Sequence, residues 1–267
     1  MEQVPPPPLT RRDLRPLYEA FSEEDDEDGN MIFLFSSFGY ITQDHRAYFW
    51  AEQEDIRTSL KLLCDDDVYP HAPANVTVVT EPVGNDIYLK RPPLNVVYLD
   101  TSLLPVLTLN ETRILEKLKA CSHTNIVPYL GCIVRRDRIV SLAFKRLSAT
   151  LFQRVGASHA PFNAASCMES TESVVRHLHS LGLAHNDLNP GNIMVDENDE
   201  VYVIDFGSCR EVGQGLITAG TRGWIYEEFT TSESCHDLIA LDKIRAWLGE
   251  ETSCSVDQQQ VNLAPTL

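Results

Sequence analysis

Three oxygen-bearing side chains carry the chemistry legible in this sequence. The stretch His185-Asn186-Asp187-Leu188-Asn189-Pro190-Gly191-Asn192 holds a carboxylate, Asp187, and an amide, Asn192. Eighteen residues after Asp187 comes Asp205, followed by Phe206 and Gly207. Phosphoryl transfer needs a carboxylate to orient an attacking hydroxyl and accept its proton. It also needs oxygen ligands for the magnesium that neutralises the phosphates, and an amide oxygen with a second carboxylate supplies them. Asp187, Asn192 and Asp205 are those residue types. Between them lie two short strand-like runs, Ile193 to Val195 and Val201 to Ile204, joined by the acidic turn Asp196 to Glu200. A hairpin there returns Asp205 to the side of Asn192.

The elements around this stretch read in two blocks. From Asn75 onward, Val76 to Thr80 and Asp86 to Arg91 read as strands, the second ending at Pro92 and Pro93. Asn110 to Ala120 reads as a helix with Ile114, Leu115 and Leu118 at helical spacing and Glu111 in its first turn. Ile126 to Val134 and Arg138 to Phe144 read as strands around Arg135, Arg136 and Asp137. Ser166 to Ser180 reads as a second helix with Met168, Val174, Val175 and Leu178 inward. Strands with one helix, then helices with one hairpin, predict an α+β protein of two lobes. Ahead of these, residues 1–30 read as a disordered arm, with prolines from Pro5 to Pro8 and six consecutive acids from Glu23 to Asp28. In residues 31–75, Met31 to Ile41 reads as a strand or hairpin. Ala47 to Leu63 reads as a helix with Tyr48, Phe49, Ile56, Leu60 and Leu63 on one side. No chemistry is visible in that extension.

The catalytic-type stretch resembles the His-Arg-Asp loop of the protein kinase superfamily, and Asp205-Phe206-Gly207 matches that family's metal-binding triplet. Three weaker likenesses follow in the right order. Ile87-Tyr88-Leu89-Lys90 looks like the third strand with its phosphate-gripping lysine. Asn110-Glu111-Thr112-Arg113-Ile114-Leu115 looks like the regulatory helix, with Glu111 as the lysine-pairing acid. Gly220 to Glu228 looks like the end of the activation loop, with Glu228 as its terminal acid. Asp237 then sits where a following helix offers a buried aspartate to the catalytic loop. The resemblance covers residues 75–250 and is close to short kinase-like proteins common in fungi. It implies a bilobal protein-kinase-like fold with a small lobe over 76–147 and a large lobe over 148–250. The chain stops 30 residues after Asp237, so the large lobe reads as truncated, with a disordered tail over 251–267. By the same resemblance Asp187, Lys90 and Asn192 are catalytic. Lys90, Glu111, Asn192 and Asp205 bind ATP, with Asn192 and Asp205 as the magnesium ligands. His185 is expected to anchor the loop and to be neither acid nor base.

Four departures from the family pattern bear on function. No glycine-rich loop is visible, Gly84 being the only glycine between Gly39 and Gly131, so the backbone N–H cradle for phosphate is missing or rebuilt. Tyr88 occupies the small-residue position that lies against adenine in kinases. Asn186 replaces the loop arginine, which leaves a phosphate on Ser208, Thr218 or Thr221 without a guanidinium partner there, and argues against control by activation-loop phosphorylation. As part of the same third departure, Asn189 replaces a lysine that neutralises the transferred phosphate. The truncated lobe is the fourth, since it leaves Glu228 without its usual arginine partner.

Composition narrows the alternatives. Lys and Arg number 22 against 39 Asp and Glu, a formal charge of −17. That balance argues against a nucleic-acid or anionic-membrane partner. The seven cysteines have no metal-site spacing, so free thiols and an intracellular residence, cytoplasmic or nuclear, are expected. The reading is an ATP- and magnesium-dependent phosphotransferase acting as a monomer on a protein hydroxyl, serine/threonine type rather than tyrosine. A pseudokinase scaffold and a small-molecule kinase resembling aminoglycoside and choline kinases are the alternatives.

Overall fold

The computed structural model describes residues 17–25, 31–51, 61–80, 84–94, 101–157, 162–218, 220–225 and 229–261. The architecture is mixed helix and sheet, as expected. The chain forms two compact units. The first comprises Met1–Thr80, Lys90–Leu109 and Cys132–Leu142, and the second Glu81–Leu89, Asn110–Gly131 and Ala143–Leu267. Residues expected to form one small lobe over 76–147 are therefore shared between both.

The first unit carries an antiparallel sheet of β1 (Leu17–Asp25), β2 (Met31–Ile41), β3 (Ala47–Ala51) and β4 (Lys61–Leu62), in that order. Two expectations are corrected here. Residues 17–25 of the supposed disordered arm are a strand, because β2 offers a partner with Leu17 opposite Phe38, Ala20 opposite Phe35 and Phe21 opposite Phe33. The supposed helix over 47–63 begins as β3. Its Ala-Tyr-Phe-Trp-Ala run is aromatic-rich and fits a pleated surface, with Tyr48 opposite Tyr40 and Phe49 opposite Gly39. After the single turn α1 (Asp65–Val68), a strap from Pro70 to Val79 runs along the strands β6 (Tyr129–Arg135) and β7 (Arg138–Lys145). Ile139 N–H donates to Pro70 O at 3.0 Å, Ala72 N–H to Asp137 O at 2.9 Å and Cys132 N–H to Thr77 O at 2.7 Å. Val76 to Thr80, expected as a strand, makes one parallel bridge, Val78 to Cys132.

Strand β5 (Ile87–Lys90) belongs to a sheet of order β5–β7–β6. Helix α2 (Leu103–Ala120) starts seven residues before the expected Asn110, with Pro105 tolerated in its first turn, where an N–H has no intrahelical partner anyway. Glu111 therefore lies inside the helix and is buried, not at its start.

The second unit is built around α3 (Leu151–Ala157), α4 (Ala164–Ser180) and α5 (Ser234–Val261). Asn163 caps α4 by accepting from Ser166 N–H, and Cys167, Met168, Thr171, Val174, Val175 and Leu178 form its buried stripe. It packs on α5, which buries Asp237, Ala240, Leu241, Ile244 and Leu248 at helical spacing. Each such aliphatic side chain contributes roughly 1.5–3 kcal/mol by leaving water. Helix α5 continues to Val261, which corrects the tail expected from residue 251. No glycine or proline interrupts the chain between Gly249 and Pro265. Short strands complete the unit: β8 (Ala149–Thr150), β9 (Leu183–Ala184), β10 (Ile193–Val195), β11 (Val201–Val203) and β12 (Arg210–Glu211). They pair as β11–β10–β8 and β12–β9. Among the described residues no helix is long and apolar enough to cross a membrane, and the described cysteines are free.

Candidate active site

Two strand pairings assemble the site. The hairpin of β10 and β11 sets Ile193 opposite Val203, so the chain leaving β11 runs back beside Asn192, and Ile204 N–H donates to Asn192 O at 2.9 Å. The pairing of Ala184 with Arg210 and Leu183 with Glu211 holds the segment after Asp205 against the start of the loop. Asp187, Asn192 and Asp205 are thereby brought onto adjoining backbone, as the sequence predicted.

His185 seals this junction. It is fully buried, its ring lies 5.3 Å from that of Phe206, and its Nε2 meets Ile204 O at 3.1 Å. A carbonyl only accepts, so Nε2 carries the proton and Nδ1 is left to accept from Asp187 N–H at 3.4 Å. That geometry fits the anchoring role and leaves His185 no free nitrogen for acid–base work.

The carboxylate of Asp187 is half-buried and held at both oxygens. Asn192 Nδ2 donates to Oδ2 at 3.0 Å and to the Asp187 carbonyl at 2.8 Å. Oδ1 accepts from Thr221 N–H at 2.8 Å, Thr221 Oγ1 at 2.7 Å and Asn189 Nδ2 at 3.3 Å. With its amide nitrogen committed to Asp187, Asn192 offers a metal its oxygen. Asp205 takes a left-handed backbone conformation (φ 60°), and its Oδ1 accepts from Gly207 N–H at 3.2 Å. That step leaves it exposed while Phe206 is buried beside it. An amide oxygen and an exposed carboxylate are the hard donors magnesium takes, so this pair fits the ion.

Glu111 also reaches the triplet: its Oε2 lies 3.9 Å from where a side chain on Gly207 would begin. Lys90, half-buried at the end of β5, falls in the first unit, whereas Glu111, Asp187, Asn192 and Asp205 fall in the second. Glu228 lies outside the described residues.

Asp237 supports the loop from beneath. Fully buried in the first turn of α5, its carboxylate accepts from Asn186 N–H at 2.9 Å, His185 N–H at 2.9 Å and His179 Nε2 at 3.0 Å. Two successive loop N–H groups on one carboxylate fix the peptides on either side of His185. Nearby, Arg210 is buried, one guanidinium nitrogen finds no hydrogen-bond partner among the described residues, and burial pulls its pKa below the ordinary arginine value.

Sequence reasoning missed two contributors. Thr221 had stood only as a possible phosphate acceptor, yet it is the main donor to Asp187. Gly220 is what lets it approach: a Cβ there would sit 3.0 Å from Asn186 O and 2.6 Å from Ile225 Cγ2. Asn186 was legible only as a lost arginine, yet its buried side chain makes four hydrogen bonds. The adjacency of Gly220 and Thr221 was a signal for the first; nothing in the letters gave the second.

Comparison with known proteins finds protein kinases. The family model described as protein kinase domain matches residues 101–239, about half of the chain. A leaf rust 10 disease-resistance locus receptor-like protein kinase-like protein of Arabidopsis thaliana is 32% identical over 133 residues, 45% of this chain and 19% of that protein. The serine/threonine-protein kinase/endoribonuclease IRE1 of Hypocrea jecorina is 27% identical over 179 residues, 60% of this chain and 14% of its own length. The calcium/calmodulin-dependent protein kinase type 1 of Macrobrachium nipponense is 26% identical over 126 residues, 45% of this chain and 36% of that one. The matches thus span about a third or less of each of these relatives.

Proposed function

We propose, from the premise that this chain belongs to the protein kinase family, that it is an ATP- and magnesium-dependent phosphotransferase acting on serine or threonine hydroxyls of a protein. The observation that carries the reading is the Asp187 carboxylate held by Asn192, in a loop that shares a backbone hydrogen bond with the residue before Asp205. Asp187 orients the substrate hydroxyl and takes up its proton. Asn192 and Asp205 hold magnesium, which when bound neutralises charge on the phosphates. Lys90 serves the phosphates as a compact cation. The relatives named as serine/threonine or calcium/calmodulin-dependent kinases support a protein substrate.

The test is phosphate transfer from ATP to a generic protein and, in parallel, to small alcohols. Asp187→Ala is expected to lower transfer to protein by roughly 10²–10⁴-fold, and Asp205→Ala to abolish magnesium-supported transfer. Unchanged activity in Asp187→Ala overturns the role assignment, and transfer to alcohols alone overturns the substrate class.

A second reading, a scaffold that keeps the fold without turnover, is favoured by one observation: Thr221 and Asn189 already occupy Oδ1 of Asp187. Tyr88, 49% exposed in β5, adds a large ring at the position the resemblance sets against adenine. Thermal melting separates the two. A nucleotide that prefers the folded chain raises the melting temperature, and no shift at millimolar ATP with magnesium favours the scaffold.

A further inference from the structure

Asn186 is 2% exposed and takes a left-handed backbone conformation (φ 63°), which asparagine tolerates better than most residues. Its Nδ2 reaches Ala184 O at 2.8 Å, Ser232 Oγ at 2.9 Å and Ser208 O at 3.2 Å. Two of these partners are carbonyls, which only accept, so the amide orientation is fixed and Oδ1 is the atom facing His236 Nδ1 at 3.1 Å. An amide oxygen cannot donate, so His236 carries its proton on Nδ1. The imidazole is held flat against Phe229, with ring centroids 3.5 Å apart and planes within 12°. The next residue on α5, Asp237, grips the main chain of the same Asn186. The first turn of α5 therefore holds Asn186 twice, by its N–H and by its side chain. The Asn186 carbonyl in turn packs on Gly220, which leads directly into Thr221 and its two bonds to Asp187.

We propose that His236 is a positioning residue: through Asn186 it fixes the step that aims Asp187, and it joins the loop to α5 by a neutral amide–imidazole bond that needs no phosphate on the segment between Asp205 and Thr221. The proposal rests on the reading of Asp187 as the base. It supplies what stands in place of the missing arginine, a hydrogen-bonded hub where a charge would otherwise need a counter-ion. Burial lowers the imidazole pKa, against the pull of Glu233 and Asp237, which favours a bond between two neutral groups.

Two substitutions in the full-length chain separate the donor from the ring. His236→Phe keeps a ring for Phe229 and removes the N–H. His236→Asn removes the ring and returns an amide N–H near the Nδ1 position. His236→Phe is expected to lower kcat about tenfold with KM for ATP within about twofold, and His236→Asn to recover kcat to within about threefold of the parent. An unchanged kcat in His236→Phe, or an equal loss in both variants, overturns the proposal. Two readouts stand apart from turnover. Nitrogen NMR of labelled histidine is expected to show His236 protonated at Nδ1, and protonation at Nε2 alone overturns the clamp. Amide exchange at residues 185–187 is expected to quicken about tenfold in His236→Phe and to return in His236→Asn; equal exchange in parent and His236→Phe also overturns it. Should the parent chain transfer no phosphate, the base assignment fails, and these two measurements still decide the clamp.

Discussion

Two residues in left-handed backbone, one in each unit, join distant segments of the chain by opposite chemistry. Asn186 is neutral and buried, and it spends its amide on two carbonyls, a hydroxyl and an imidazole. Arg136, in the turn between β6 and β7 with φ 51°, is charged and exposed. Its guanidinium donates to Asp65 at 2.6 and 3.2 Å, to Asp44 O at 3.1 Å and to His45 O at 2.9 Å. The residues that Arg136 ties down belong to the N-terminal extension for which the sequence offered no role. Arg138 adds bonds to Tyr69 O and to Asp66 in the same extension. The contrast teaches where each solution fits. The side-chain knot next to the Asp187 loop is buried and neutral, so salt has no charge in it to screen. A knot that fastens an added segment to the surface of a strand pair can use charge and remain wet.

The largest effect comes from breaking the buried knot. Asn186→Leu leaves two carbonyls, Ser232 Oγ and the His236 N–H without their partner in a place water does not reach. Each of these four orphaned groups costs about 1–3 kcal/mol, so a total loss of at least about 4 kcal/mol is expected. Urea unfolding measures it, and the loss should be the same at low and high salt. A loss that shrinks as sodium chloride is added would mean that charge, not connectivity, holds this region.

The exposed knot should respond in the opposite manner. Arg136→Ala is expected to cost about 1–2 kcal/mol at low salt and distinctly less at high salt, because exposed ion pairs are screened. Backbone strain sharpens the test. A residue with a Cβ is disfavoured by roughly 1 kcal/mol at φ 51°, whereas glycine is not. Arg136→Gly should therefore be less destabilising than Arg136→Ala, and the reverse order would show that the turn carries no strain.

What the letters revealed follows the same division. Asp187, Asn192 and Asp205 were legible because phosphoryl transfer dictates residue types at short, ordered spacing, and the intervening hairpin alternates visibly. Helix α4 was legible because its stripe repeats at helical period. Strand β3 was not, because Tyr48 and Phe49 also fit one face of a helix running on to Leu63; residues 52–60 of that expected helix lie outside the described residues. Strand β1 was masked by the acids at its end and became a strand only through pairing with β2. Both knots were unreadable for one reason. Arg136 finds Asp65 71 residues away and Asn186 finds His236 50 residues away, and a sequence shows that an arginine is missing without showing what took its place.

Acid should also discriminate between the knots. Burial holds the His236 pKa below its ordinary value, and burial together with the neighbouring His177 does the same at His123. A histidine with a depressed folded-state pKa adds stability that is complete above its unfolded value of about 6.5 and is lost as pH falls through the folded one. In the Arg136 region the shifted acid is Asp44, whose pKa is lowered chiefly by the Thr42 hydroxyl. Its contribution persists above about 3.9 and disappears only below that. Lowering the pH from about 7.5 to about 5.5 should thus reduce the protection of amides around residues 123 and 185–187, measured against their intrinsic exchange rates at each pH, and leave that of residues 44–46 and 136–138 unchanged. Equal loosening of both regions would contradict the assignment.

The smallest expected effect isolates charge from connectivity. Arg245 on α5 donates to Glu172 on α4 at 2.6 Å and to Asp242 at 2.7 Å. It resembles Arg136 in bonding carboxylates at the surface. It differs in that both of these partners are side chains, whereas Arg136 also holds two backbone carbonyls. The two helices it bridges are already joined by the buried stripes around Val174 and Ile244. Arg245→Ala should therefore cost only about 0.3–0.5 kcal/mol, and nothing measurable at high salt. If it cost as much as Arg136→Ala, the backbone carbonyls of Asp44 and His45 would add nothing to the exposed knot, and its strength would be that of an ordinary surface ion pair.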